Sequence, residues 1–163
     1  MSSLELRPMR EPDAVAVDRI LRQTGMFTAA EMDVANELID IFLHKPGQKD
    51  YVIAVVVEAT AESVPLGYVC FGPTPATEAT YDLYWIAVDP ARQGQGIGRV
   101  LLQHAEHECV SRGGRLMIIE TSSKAMYLPT QKFYERNGYA VEARIRDFYA
   151  QGDDRLIYTR RFS

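Results

Sequence analysis

Two periods alternate along the chain, and they divide it into strands and helices. Polar and apolar residues alternate at Leu4, Glu5, Leu6 and Arg7, predicting a short strand before Pro8. Val17, Ile20 and Leu21 recur at helical spacing behind Asp13, a candidate N-cap, and Gly25 closes that helix. A second helix is expected over 29–44, with Val34, Leu38, Ile41 and Phe42 as its stripe and Pro46-Gly47 as its stop. The period then shortens. Residues 51–58 and 65–71 are β-branched and aromatic runs, read as an antiparallel pair, and 81–88 is the next strand. Ile97, Leu101, Ala105 and Cys109 mark a helix over 97–112, and the unbroken apolar run Leu116-Met117-Ile118-Ile119 opens a strand over 116–120. A strand, a helix and a second strand in this order form a crossover, so 116–120 is expected to lie parallel to 81–88. A shorter helix over 129–137, with Pro129 in its first turn and Gly138 after its end, precedes strands at 139–146 and 155–161. The sum is an α/β (mixed α+β) sheet of about seven strands with about four helices.

Composition narrows the classes that such a fold can serve. The 163 residues, 47% hydrophobic and 10% aromatic, suit a single domain over 1–163 with one buried core. A net charge of -4 and a pI near 5.4 argue against a nucleic-acid partner, since phosphate-backbone binding needs a clustered basic face. Cys70 lies in an apolar strand and Cys109 on the apolar side of a helix, so both read as buried thiols of a reducing compartment. The longest apolar run, 52–57, is too short to cross a bilayer, and the first ten residues carry charge where a secretory leader is apolar. A cytoplasmic location without a membrane partner is therefore expected. His44, His104 and His107 have no Cys partners at metal-ligand spacing, so no metal is expected either.

The chemistry begins at Gln93-Gly94-Gln95-Gly96-Ile97-Gly98-Arg99, where three alternating glycines join a strand to a helix. Glycine lets the backbone approach a ligand closely, the first helical N–H groups lack intrahelical partners, and the helix dipole favours negative charge there. The loop is thus a candidate diphosphate cradle, although glycine-rich turns also serve as plain connections. It lacks the Lys-Ser/Thr of a Walker loop, and its Gly-x-Gly-x-Gly spacing departs from the dinucleotide fingerprint.

With that loop in place, the chain resembles the GNAT family of N-acetyltransferases, which move acetyl from acetyl-CoA to an amine. The family signature Arg/Gln-x-x-Gly-x-Gly/Ala is matched from Gln93 to Gly98, behind Ile86-Ala87-Val88-Asp89-Pro90. Phe133-Tyr134-Glu135-Arg136-Asn137-Gly138-Tyr139 resembles a second family segment, Phe-Tyr-x-x-x-Gly-Phe. The resemblance implies that the strand before the glycine loop splays from its parallel neighbour, so that Ile86, Ala87 and Val88 offer backbone groups to the pantetheine arm of acetyl-CoA. It places the acid for the leaving thiolate on Tyr134. Where many members carry Asn seven residues before that tyrosine, Tyr127 stands here.

An amine attacks a thioester only as the free base, so a carboxylate or a water held by one must take its proton. Asp82, eleven residues before Gln93, matches the place of the glutamate base in histone-acetylating members and ranks first; Glu120, ending the neighbouring strand, ranks second. Tyr84 shares a strand face with Asp82 and is a candidate for the acceptor pocket. The Val88 amide is the candidate donor to the oxyanion. Asp147, Asp153 and Asp154 are candidates for attracting a cationic acceptor, and Phe148-Tyr149 for a homodimer surface or a lid. The expected function is acetyl transfer from acetyl-CoA to a primary amine, on a small molecule or a peptide, by direct attack in a ternary complex. A non-catalytic acyl-CoA-binding module and a different nucleotide-binding enzyme are the alternatives.

Overall fold

The apolar runs become strands of one mixed sheet in the computed structural model, which describes residues 3–162. The strands are β1 (Leu4–Pro8), β2 (Val52–Glu58), β3 (Pro65–Pro73), β4 (Thr80–Val88), β5 (Leu116–Ser122), β6 (Ala140–Ala150) and β7 (Asp153–Arg161). They lie in the order β1-β2-β3-β4-β5-β7-β6, and only β4 and β5 run parallel, as the crossover requires. The helices are α1 (Ala14–Thr24), α2 (Ala29–His44), α3 (Ile97–Ser111) and α4 (Leu128–Arg136).

Period-2 alternation gives the sheet two apolar faces, each covered by its own helices. Leu83, Met117, Ile119 and Tyr158 pack with Leu101, Ala105 and Tyr134 of α3 and α4. On the opposite face Ile53, Val55, Tyr68 and Cys70 pack with Val17, Ile20, Leu38 and Ile39 of α1 and α2. Both cysteines are fully buried and unpaired.

Four local expectations are corrected. Asp13 holds the N-cap position of α1 but its side chain makes no capping bond; its carboxylate forms a buried ion pair with Arg7 at 2.7 Å and accepts the Arg10 amide at 2.8 Å, while a 3-10 turn (Glu11–Asp13) leads into the helix. The buried stripe of α2 is Met32, Ala35, Leu38 and Ile39, which leaves Val34 exposed. His104, expected beside His107 on an exposed face, is half-buried with its ring edge-on to Phe71. The last two strands extend further than their apolar patterns, reaching Ala150 and starting at Asp153, so the polar stretch expected as a loop is mostly hairpin.

Gly72 on β3 has a packing reason to be glycine. A Cβ there would land on the Asp50 carbonyl oxygen, which is backbone and cannot swing aside. Gly72→Ala is expected to cost about 1–3 kcal/mol as overpacking, which lowers the melting temperature by roughly 2–10 °C. A thermal melt checks this, and an unchanged midpoint would show that the segment carrying Asp50 yields freely.

Candidate active site between the parallel strands

β4 and β5 pair over four positions, from Thr80 with Leu116 to Leu83 with Ile119, and then part. Beyond that point β4 is held by β3 alone and β5 by β7 alone. The β3–β4 register steps from Cys70–Trp85 to Phe71–Leu83, so Tyr84 is an extra residue on β4. Such a bulge bends its strand and increases the local twist, and it sits where the two strands separate. From Tyr84 to Val88 the gap is about 13 Å deep, at roughly 3.3 Å per residue.

Ladder parity settles which backbone groups face this gap. The Asp89 amide donates to Leu66 at 2.8 Å, which makes Val88–Gly67 a non-hydrogen-bonded pair of the β3–β4 ladder. Val88 and Ile86 therefore turn their N–H and C=O groups away from β3 and into the gap. Ala87, grouped with them on sequence, spends its own on Tyr68.

The glycine loop lies at the open end. Asp89 caps a 3-10 turn (Pro90–Arg92) through the Ala91 amide at 2.9 Å, and Gly94 and Gly96 follow with φ of +77° and +81°. A Cβ on either would meet nothing within 4 Å, so packing does not demand glycine there; the left-handed backbone does. Gly96 is the N-cap of α3, and the first helical bond runs from the Val100 amide to its carbonyl at 3.1 Å. None of the amides of 93–99 donates to a partner among the described residues. Ile97 is buried, so what it offers a ligand is its amide; a Cβ on Gly98 would make only ordinary contact with Phe133 of α4, at 3.4 Å. Arg92, which opens the stretch but had no role assigned from sequence, ties the loop to β2 by donating to Glu58 at 2.5 Å and to the Gln95 side chain at 3.1 Å. Beside the loop, between α3 and α4, is a cavity of about 570 Å³ lined by Arg99, Arg136 and Arg160 together with Phe133 and Glu106. Glu106, buried and also missed, accepts from Tyr139 at 2.8 Å and Arg160 at 2.7 Å, which fixes that wall.

Candidate acid and bases approach the closed end from opposite faces. Tyr134 belongs to the α3–α4 face and packs its ring 5.8 Å from that of Tyr158, which pairs with Ile119, the last β5 residue of the parallel ladder. Its hydroxyl has no hydrogen-bond partner among the described residues, and burial pushes the phenol well above its usual range, so it stays a donor. Asp82, Tyr84 and Glu120 lie on the α1–α2 face. The Asp82 carboxylate accepts from Thr74 Oγ1 at 2.6 Å and, at a long 3.4 Å, from the Tyr84 hydroxyl. Burial, and next the charge of Asp82, hold the Tyr84 phenol protonated as well. Glu120 is engaged by Arg155 of β7, whose guanidinium lies 4.8 Å from the Phe148 ring centre.

Around the acceptor side the sequence reading needs revision. Tyr127 reaches across to the α1–α2 connection, donating to the Met26 carbonyl at 2.6 Å, while the neighbouring Phe27 packs edge-on to Trp85 at 5.1 Å. The three aspartates proposed to attract a cation each hold partners within the fold. Asp147 accepts the Gly152 amide, Asp153 holds Ser122 and Lies near Lys124, and Asp154 accepts from Arg144 and the Asp147 amide.

Comparison with known proteins agrees with this architecture. Residues 50–141 match the sequence model of the acetyltransferase (GNAT) domain. A crystal structure of a GNAT-family protein from Desulfovibrio desulfuricans is 44% identical over 98% of this chain and 99% of its own, with a TM-score of 0.91. The ribosomal-protein-S18-alanine N-acetyltransferase of Escherichia coli (19% identity, 99% of this chain and 95% of its own, TM-score 0.75) shares the fold. So does an aminoglycoside 6'-N-acetyltransferase solved with coenzyme A (16% identity, 96% of each chain, TM-score 0.72). No curated protein matches. The splayed parallel strands, the glycine loop, the matched domain and the close relative together establish that this chain belongs to the GNAT acetyltransferase family.

Proposed function

We propose that the protein is a cytosolic N-acetyltransferase that uses acetyl-CoA as donor and passes the acetyl group directly to a primary amine of a small molecule or peptide. The observation that carries this reading is two sets of unpartnered backbone donors at one opening: the amides of 93–99 in the glycine loop, and, across the 3-10 turn, the gap-facing amides of Val88 and Ile86. Loop amides at a helix N-terminus suit a diphosphate, strand amides suit the extended pantetheine arm, and the arginines of the adjoining cavity suit the phosphorylated nucleotide end. The coenzyme A bound to the aminoglycoside enzyme of like fold supports the same donor.

The depth of the gap refines where reaction occurs. An arm entering beside the loop and extending along β4 ends near Tyr84, about 13 Å past Val88. There Asp82, directly or through a water, takes a proton from the bound ammonium and frees the lone pair that forms the C–N bond, and Tyr134 gives its hydroxyl proton to the sulfur as the C–S bond breaks. Ile86, the gap-facing amide nearer that end, is placed better than Val88 to donate to the carbonyl oxygen. Glu120, already paired with Arg155, orients that wall and is the weaker candidate for the base.

Calorimetry with CoA and acetyl-CoA, followed by thiol release over a panel of amines, tests the assignment. Binding with turnover of at least one amine is expected. Binding without turnover over a broad panel would reduce the protein to an acyl-CoA-binding module, and tight binding of NAD in place of CoA would remove the donor. Gly96→Ala places a side chain at φ +81°, a strain of about 1–2 kcal/mol that is relieved by moving the loop backbone and with it the amides of 93–99. Its CoA affinity is expected to fall by about tenfold or more, read in the same titration.

A further inference from the structure

The carboxylate assigned as the base is held at one oxygen only. Thr74 Oγ1 donates to Asp82 Oδ2 at 2.6 Å, and the Tyr84 hydroxyl reaches the same oxygen at 3.4 Å. Oδ1 accepts no hydrogen bond among the described residues. Of the two donors Thr74 is the one at full strength, because a hydroxyl bond to a carboxylate strengthens as it shortens toward 2.6 Å.

Thr74 is itself fixed through its backbone. It follows the last residue of β3, its amide donates to the Thr80 carbonyl at 2.8 Å, and its carbonyl accepts from Thr77 Oγ1 at 2.8 Å. Gly72, directly opposite Asp82 in the β3–β4 ladder, has no side chain to offer, so the contact falls to its diagonal neighbour Thr74. We propose that Thr74 is a positioning residue for acetyl transfer: by binding Oδ2 it turns Oδ1 of Asp82 toward the acceptor amine. This inference rests on Asp82 as the group that takes the proton. A carboxylate without that tether turns about its side-chain bonds, and misplacing a reacting group by about 1 Å costs on the order of 10²-fold.

Thr74→Val keeps the shape and removes the donor. Its kcat near pH 7 should fall about tenfold or more, with a much smaller change in acceptor KM. The deficit should shrink as pH rises, because amine that arrives deprotonated needs no base, whereas a damaged pocket loses the same factor at every pH. Thr74→Ser, which retains the hydroxyl, should recover most of the rate. Adding Thr74→Val to Asp82→Asn should cost no further turnover, since no base remains to be aimed. Thr77→Val removes a side-chain bond of the same loop without touching Asp82 and should keep the parent profile. A loss in Thr74→Val that is the same at every pH, no recovery in Thr74→Ser, a further loss on the Asp82→Asn background, or the same profile in Thr77→Val each overturns the proposal. If Asp82→Asn loses turnover and Thr74→Val does not, the positioning role alone falls; if Asp82→Asn keeps full turnover, the base assignment falls and takes this inference with it.

Discussion

Tyr134→Phe should leave a folded protein that binds CoA normally and turns over about 10²–10⁴-fold more slowly, the usual contribution of a positioned acid. The expected cleanness comes from the surroundings. The ring is packed among Phe133, Tyr139 and Tyr158, and phenylalanine preserves those contacts. Because the hydroxyl has no partner among the described residues, its removal orphans no buried group, and the melting temperature should stay within a degree or two. The loop and strand amides proposed to hold the donor are untouched, so the loss is expected in kcat rather than in CoA affinity. Single-turnover release of thiol, with calorimetry on the same preparation, separates the two. Full turnover in the variant would remove Tyr134 as the acid and point to solvent as the source of the proton. A fall in affinity equal to the fall in rate would instead make it a packing residue of the donor site.

What the sequence revealed and what it hid follow from the range over which each signal acts. Strands and helices were legible because burial on one or two faces imposes a period on neighbouring residues, and the parallel pairing of β4 with β5 followed from the helix between them. The glycine loop was legible because a positive φ at Gly94 and Gly96 restricts residue type locally. The bulge at Tyr84 was not, since it depends on the register of β3 against β4, and no composition marks it. For the same reason Ile86, Ala87 and Val88 looked equivalent until ladder parity separated Ala87 from the other two. The partners of Asp13 and of the aspartates of the last hairpin were hidden because short polar side chains bond to whichever group the fold supplies, here Arg7, Ser122 and Arg144. Tyr127 was singled out only as a departure from the family pattern. Its bond to Met26 spans 101 positions, beyond any local signal.

The base is decided by comparing two carboxylates whose surroundings differ. Asp82→Asn keeps an oxygen for the Thr74 hydroxyl at nearly the same place and removes only the charge and basicity, so a loss of about 10²–10⁴-fold in turnover is expected with little change in stability. Glu120→Gln keeps an acceptor oxygen for Arg155 but removes the charge that pairs with it, beside a half-buried guanidinium whose Nε already lacks a bond among the described residues. That change should cost stability and acceptor affinity more than it costs the chemical step. The pH profile then distinguishes a lost base from a displaced substrate. An amine with a pKa near 10 is mostly protonated at neutral pH, and its free base increases about tenfold for each unit of rising pH. With Asp82 in place, the enzyme draws on the protonated amine as well, and its rate should rise less steeply. Asp82→Asn can use only amine that arrives deprotonated, so its rate should climb close to tenfold per unit and converge on the parent enzyme at alkaline pH. If Glu120→Gln shows that convergence and Asp82→Asn does not, the base belongs to β5 instead of β4. If neither does, proton removal reaches solvent through the gap, and the carboxylates serve to shape the acceptor side.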